Sequence, residues 1–174
     1  MRDEILKYLE EIRSHYANYH NHKETSAWAT VAVFMVFLAQ IFRPLFQGEI
    51  DKIIEKGSVT VIIIALTIII YIYLKKQFEL RAVGAGVVAA AFYLKTELIN
   101  KPNQSIDFNA YALYPSANPK MQYRYVLPKV VLEKADEFAC KGSGDRKTLE
   151  SLAYLMVFLP SSIIILVVWL LPIT

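Results

Sequence analysis

Three stretches of the chain carry no Asp, Glu, Lys, Arg or His: residues 27–42 (AWATVAVFMVFLAQIF), 59–74 (VTVIIIALTIIIYIYL) and 152–171 (LAYLMVFLPSSIIILVVWLL). A bilayer core needs roughly 20 largely apolar helical residues, with about 17–25 as the working range. The third run meets that alone. The first extends past Arg43 to take in 44–46, and the snorkelling stems of Lys75 and Lys76 lengthen the second. The first run is not read as a secretory signal, because its leading segment is long, carries acids as well as bases, and no A-x-A pattern follows. The pattern predicts a mainly α, helical multi-span membrane protein. Its transmembrane helices fall at 27–46, 59–74 and 152–171, with an arm at 1–26, a connector at 47–58 and a small α+β domain at 75–151.

From residue 3 to Arg43 there is neither proline nor glycine, so the arm and the first span are expected to form one continuous helix. In the arm, Ile5, Leu9, Ile12, Tyr16 and Tyr19 recur at alternating steps of four and three, the seam of a coiled coil. The seam is expected to gather copies of the chain, the competing reading being packing against another part of the same chain. Carried inward, the register reaches Lys23, Ser26, Thr30, Val33, Phe37 and Gln40, a stripe more polar than the rest of the span. Lipid offers no partner to a carboxamide or hydroxyl. Thr30, Val33, Phe37 and Gln40 are therefore expected to line an axis shared by several copies. The alternative is that Thr30 and Gln40 hydrogen-bond a neighbouring helix.

Residues 77–99 read as helical with an apolar middle, a buried helix or an interfacial segment. The uncharged stretch from Ala82 to Leu94 has only 13 residues and contains glycine, too short to cross a bilayer. Between 100 and 128 four prolines and Asn-rich turns break the pattern. "DFNAYALY" and "MQYRYVL" are expected to pair as a hairpin around "PSANPK". A helix over 129–140 follows, then "KGSGD" as a turn, with Asp145 or Ser143 capping the helix that becomes the third span.

Charge changes the picture in one respect. The arm carries four Lys and Arg, residues 43–58 three, 75–151 twelve, and the tail beyond 151 none. The positive-inside rule then places the N-terminus and 75–151 in the cytoplasm and the C-terminus outside. Trp28, Tyr71, Tyr73 and Tyr154 fall near the inner interface and Trp169 near the outer one. Over the whole chain, 55% of the 174 residues are hydrophobic and 20% charged, with a net charge of +3. Mean hydropathy is +0.34, high for a soluble domain. The single cysteine, Cys140, excludes an internal disulfide and a cysteine-rich zinc site.

Chemistry is sparse. His15, His20 and His22 offer no i, i+4 pair with a third ligand, so neither a metal site nor a cofactor is expected. No paired carboxylates or nucleophile triad stand out, and no charge lies inside a span to couple transport. "KGSGDRKT" lacks P-loop spacing. Lys120, Tyr123, Arg124, Tyr125 and Lys129 interleave rings and cations in a region of twelve bases against eight acids. They are the candidate ligand-binding residues, for a nucleotide or nucleic-acid signal; a domain core with a cationic rim near lipid headgroups is the competing reading. Arg13 and His20, written R-SHYANY-H, resemble the R-x(4–6)-H motif of HEPN-type ribonucleases, which implies a membrane-tethered ribonuclease as an alternative. A non-enzymatic adaptor docking a partner through 100–150 is a third possibility.

The layout of a charged N-terminal helix ending in "YHNHKETSAW", a few spans and a small basic domain resembles the small helical membrane effectors of bacterial anti-phage defence. These include the pore proteins accompanying RNA-targeting CRISPR systems and the channel subunit of the Hailong system. The resemblance is best over the first 75 residues and carries over no site residue. It implies a homo-oligomeric pore in the bacterial inner membrane that depolarises it when a cytoplasmic cue, or a neighbouring defence protein, signals infection.

Overall fold

The computed structural model describes residues 2–47, 50, 52–101, 106–108, 111–112, 127–141 and 144–170. The described chain is mainly helical: α1 (Arg2–Phe46), α2 (Ile53–Asn100), α3 (Lys129–Lys141) and α4 (Gly144–Leu170), with β1 (Tyr111–Ala112) and β2 (Leu127–Pro128). Three helices are long and apolar enough to cross a membrane. The 45 residues of α1 and the 48 of α2 each exceed the roughly 20 that a hydrocarbon core needs.

The helical stretches at 59–74 and 77–99 belong to one element, α2, which continues without interruption to Asn100. Nothing there stops a helix: the stretch has no proline, and Gly84 and Gly86 each cost only about 1 kcal/mol against alanine. The two strands pair antiparallel, Tyr111 opposite Pro128 and Ala112 opposite Leu127. Each lies in or directly after one of the two segments expected to form a hairpin. The turn "PSANPK" lies outside the described residues.

The helices contribute to two compact units, residues 1–24 with 77–147 and residues 25–76 with 148–174. In the first, α1 and the second half of α2 run antiparallel. The Arg2 guanidinium donates to the Leu98 carbonyl at 2.6 Å, Lys95 pairs with Glu10 at 2.7 Å and Arg81 with Glu24 at 2.9 Å. Between them Leu9, Ile12 and Tyr16 enter one hydrophobic core with Val83, Val87, Ala90, Ala91 and Leu94 of α2 and Val131, Leu132 and Ala135 of α3. The arm's seam, Ile5 and Leu9 through Tyr16, is thus covered by the chain itself. Of the two partners the heptad pattern admits, the one seen is intramolecular. Alanines at 90 and 91 and Gly84 make room for it: a Cβ on Gly84 would lie 3.2 Å from the His20 Cβ and 3.3 Å from the Tyr16 carbonyl oxygen.

The second unit combines the remaining parts of α1 and α2 with α4. Buried positions step by three, four or seven: Ala27, Val31, Phe34, Leu38 and Leu45; Ile63, Thr67 and Leu74; Ala153, Val157, Ser161, Ile164 and Val168. These are the stripes of helices packed on one face. The opposite faces are also apolar. Ile62, Ile69, Leu159 and Leu166 are each about half exposed or more, as befits a surface solvated by lipid rather than water.

Candidate functional site

Three features stand apart from the packed core: the uncovered face of α1, a polar contact between α2 and α4, and a groove beside the arm.

On α1, Ala27, Val31, Phe34 and Leu38 are buried, and the positions beside them are not. Val33 is 70% exposed and Phe37 37%; Gln40 is exposed and Thr30 half-buried. Thr30, Val33 and Phe37 come together with Leu66 and Ile70 of α2 in an apolar groove of about 410 Å³. The Thr30 hydroxyl donates to the Ser26 carbonyl at 2.8 Å, so its polarity is satisfied within its own helix. Gln40 is different. Its carboxamide has no hydrogen-bond partner among the described residues, and Pro44 within α1 has no N–H to give to the Gln40 carbonyl. One residue thus presents an amide with no partner among the described residues and a main-chain carbonyl that lacks its usual i+4 donor.

Between α2 and α4 the hydroxyls of Thr67 and Ser161 lie 3.0 Å apart, both buried. Each is also 2.7 Å from the carbonyl one turn back in its own helix, Ile63 and Val157. Two protons serve three contacts, so one hydroxyl donates across while the other donates to its own helix. Pro160, adjacent, leaves the Met156 carbonyl without its helical donor. Tyr71 stacks at a tilt on Tyr154 at 5.0 Å, and the Trp169 indole N–H donates to the Thr60 hydroxyl at 3.2 Å. Neither the Thr67–Ser161 pair nor the fully buried Lys56 was signalled by the sequence. A hydroxyl in an apolar run identifies no partner, and Lys56 sits in what reads as a polar connector.

Beside the arm, Arg13, Ala17 and His20 of α1 face Ala85, Ala89 and Phe92 of α2 across a groove of about 360 Å³. Arg13 bonds Glu10, which also accepts from Lys95 at 2.7 Å. These two donors, Lys95 first, hold the Glu10 carboxyl below its ordinary value of 4.5. The His20 Nδ1–H donates to the Arg81 carbonyl at 3.1 Å, and its Nε2 lies 3.9 Å from Glu24, the carboxylate that also binds Arg81. The residues of the R-x-H pattern therefore share one groove.

Among the other candidates, Lys120, Tyr123, Arg124 and Tyr125 lie outside the described residues. Lys129 is exposed on the first turn of α3, 3.7 Å from Glu133, an i,i+4 pair open to solvent. Tyr19 is half-buried with its ring 6.2 Å from Tyr16 and the Lys23 ammonium 5.0 Å above it. Among the described residues no three His, Cys, Asp or Glu side chains gather as a metal site. No family model, curated protein or solved structure matches the chain in comparison.

Proposed function

We propose that the chain is a homo-oligomeric membrane pore, with the α1 face of Thr30, Val33, Phe37 and Gln40 turned toward neighbouring copies and the unit built from the arm, the second half of α2 and α3 as its regulatory part. The observation that supports this is Gln40. In hydrocarbon an unpaired amide costs several kcal/mol, and its cost is removed by a second copy or by water held between copies. Val33 and Phe37 on the same face would form apolar rings, the kind of constriction that closes a conduit by excluding water. On the resemblance drawn from the sequence, the setting proposed is the bacterial inner membrane with the N-terminus in the cytoplasm, and the role an anti-phage effector that depolarises it.

Purified chain in liposomes should leak ions, and Gln40→Leu should reduce the leak several-fold without changing the particle mass. Val33→Ser or Phe37→Ser should raise it. A monomeric, ion-tight particle ends the proposal. A second reading, a membrane-tethered ribonuclease, is favoured by the shared groove of Arg13 and His20. In that case His20→Ala abolishes RNA cleavage and leaves conductance absent throughout.

A further inference from the structure

The groove beside the arm has a polar wall, formed by Arg13, His20 and Asn21, and an apolar wall, formed by Ala85, Ala89 and Phe92. The apolar wall follows from spacing: 85, 89 and 92 fall at steps of four and three in the uncharged stretch of α2, on one side of the helix. Phe92 remains 58% exposed there while its neighbours Ala90 and Ala91 are buried.

The charges beside the polar wall do not balance. One carboxylate, Glu10, serves both Arg13 and Lys95, which leaves one positive charge uncompensated within that trio. Arg13 is 43% exposed and uses its Nε and one terminal nitrogen on Glu10. The rest of its five donors remain for a second anion. His20 has Nδ1 on the Arg81 carbonyl and Nε2 3.9 Å from Glu24, whose charge Arg81 already meets, so the anion's contact falls to Arg13. A volume of about 360 Å³ is room for roughly a dozen water-sized groups, which suits part of one hydrocarbon chain.

We infer that this groove binds an anionic amphiphile, with its acyl chain along Ala85, Ala89 and Phe92 and its carboxylate or phosphate on Arg13. A nucleic-acid strand fits the observations less well, since it asks for a series of cations and stacking rings where the groove offers one excess charge and one open ring. The site stands whether or not the protein conducts ions, so the binding experiment and the leak experiment fail separately.

The test uses the full chain in phosphatidylcholine vesicles with diazirine-tagged oleate as the probe, irradiation, and peptide mapping. Label is expected within residues 85–92, competed by oleate and by 1-oleoyl lysophosphatidate and not by oleyl alcohol. Arg13→Gln should lower labelling about tenfold or more, Arg13→Lys should retain most of it, and Ala89→Phe should remove it with helical content unchanged by circular dichroism. Adding phosphatidylglycerol to the vesicles separates the two sources of the same chemistry: loss of oleate labelling assigns the bilayer lipid, persistence assigns a free fatty acid, and either supports the site. Equal competition by oleyl alcohol, label confined to residues 25–76 and 148–170, indifference to Arg13→Gln, or displacement by a short oligoribonucleotide would each overturn it.

Discussion

Gly57 and Gly84 lie on the same helix, yet replacing each with alanine should move stability in opposite directions. Alanine is favoured over glycine in a helix interior by about 0.8–1.0 kcal/mol. Around Gly57 nothing lies within 4 Å of the added Cβ, so Gly57→Ala should stabilise by about that amount. At Gly84 the new carbon would sit 3.2 Å from the His20 Cβ, 3.3 Å from the Tyr16 carbonyl oxygen and 3.4 Å from the His20 Cα. None of these is the far end of a flexible side chain, so α1 must retreat by a few tenths of an ångström and loosen Tyr16 from the core. Overpacking of this kind costs about 1–3 kcal/mol; with the propensity gain subtracted, Gly84→Ala should lose about 0–2 kcal/mol, and Gly84→Leu more. Denaturant titration in detergent followed by circular dichroism measures the sign. Hydrogen exchange at residues 9–16 locates the change in the unit that α1 and α2 share. If Gly84→Ala stabilises as much as Gly57→Ala, the two helices do not approach at this point and the intrachain core is misdrawn.

Leu9 is fully buried, so Leu9→Ala should cost about 2–5 kcal/mol while the particle mass stays constant; a fall in mass would place the arm's seam between copies instead. The Glu10 carboxyl is held below its ordinary 4.5 by Lys95 and Arg13. Its contribution is therefore present above about pH 4.5 and lost as pH falls through the lowered value. Wild type should lose protection of the arm in that acid window in exchange experiments, and Glu10→Gln should be weaker above it and flatter across it. The Thr67–Ser161 contact should show a coupling of about 0.5–1.5 kcal/mol in a double-mutant cycle of Thr67→Val with Ser161→Ala, and additive effects would mean that the hydroxyls do not meet.

The helical content and the three apolar runs were legible because hydropathy and the lack of breakers act locally. What could not be read was partner choice. Leu9, Ile12 and Tyr16 mark a face that must be covered, and periodicity is silent on whether α2 or another copy covers it. Lys75 and Lys76 read as the end of a span, but cations stop a membrane run without stopping a helix, so α2 continues to Asn100. In the arm, R-SHYANY-H placed Arg13 and His20 on one side of a helix. Glu10 engages Arg13 from one turn back on the same helix, whereas the Arg81 carbonyl on His20 depends on an antiparallel neighbour the spacing does not reveal.

The detail with most consequence is an offset of a single residue between the arm's heptad and the buried stripe of α1. Extending the arm's heptad from Tyr16 gives 26, 30, 33, 37 and 40, whereas the buried positions of α1 are Ala27, Val31, Phe34, Leu38 and Leu45. From Tyr16 to Ala27 is eleven residues, three turns of an ordinary helix, whereas the arm's alternation reaches ten and fourteen residues on, at Ser26 and Thr30. From Ala27 to Leu45 is eighteen, five turns at 3.6 per turn. A straight helix obeys its own period, and a strict alternation of four and three drifts around it by about 20° per heptad. That drift carries Thr30, Val33, Phe37 and Gln40 off the chain's own packing face and onto its edge. Had the heptad held, Gln40 would point at α2 or α4 and find its partner there. Because it does not, the same polar residue that argues for an oligomer is left available to one, and the apolar stripe beside it is left to hold three helices of a single copy together.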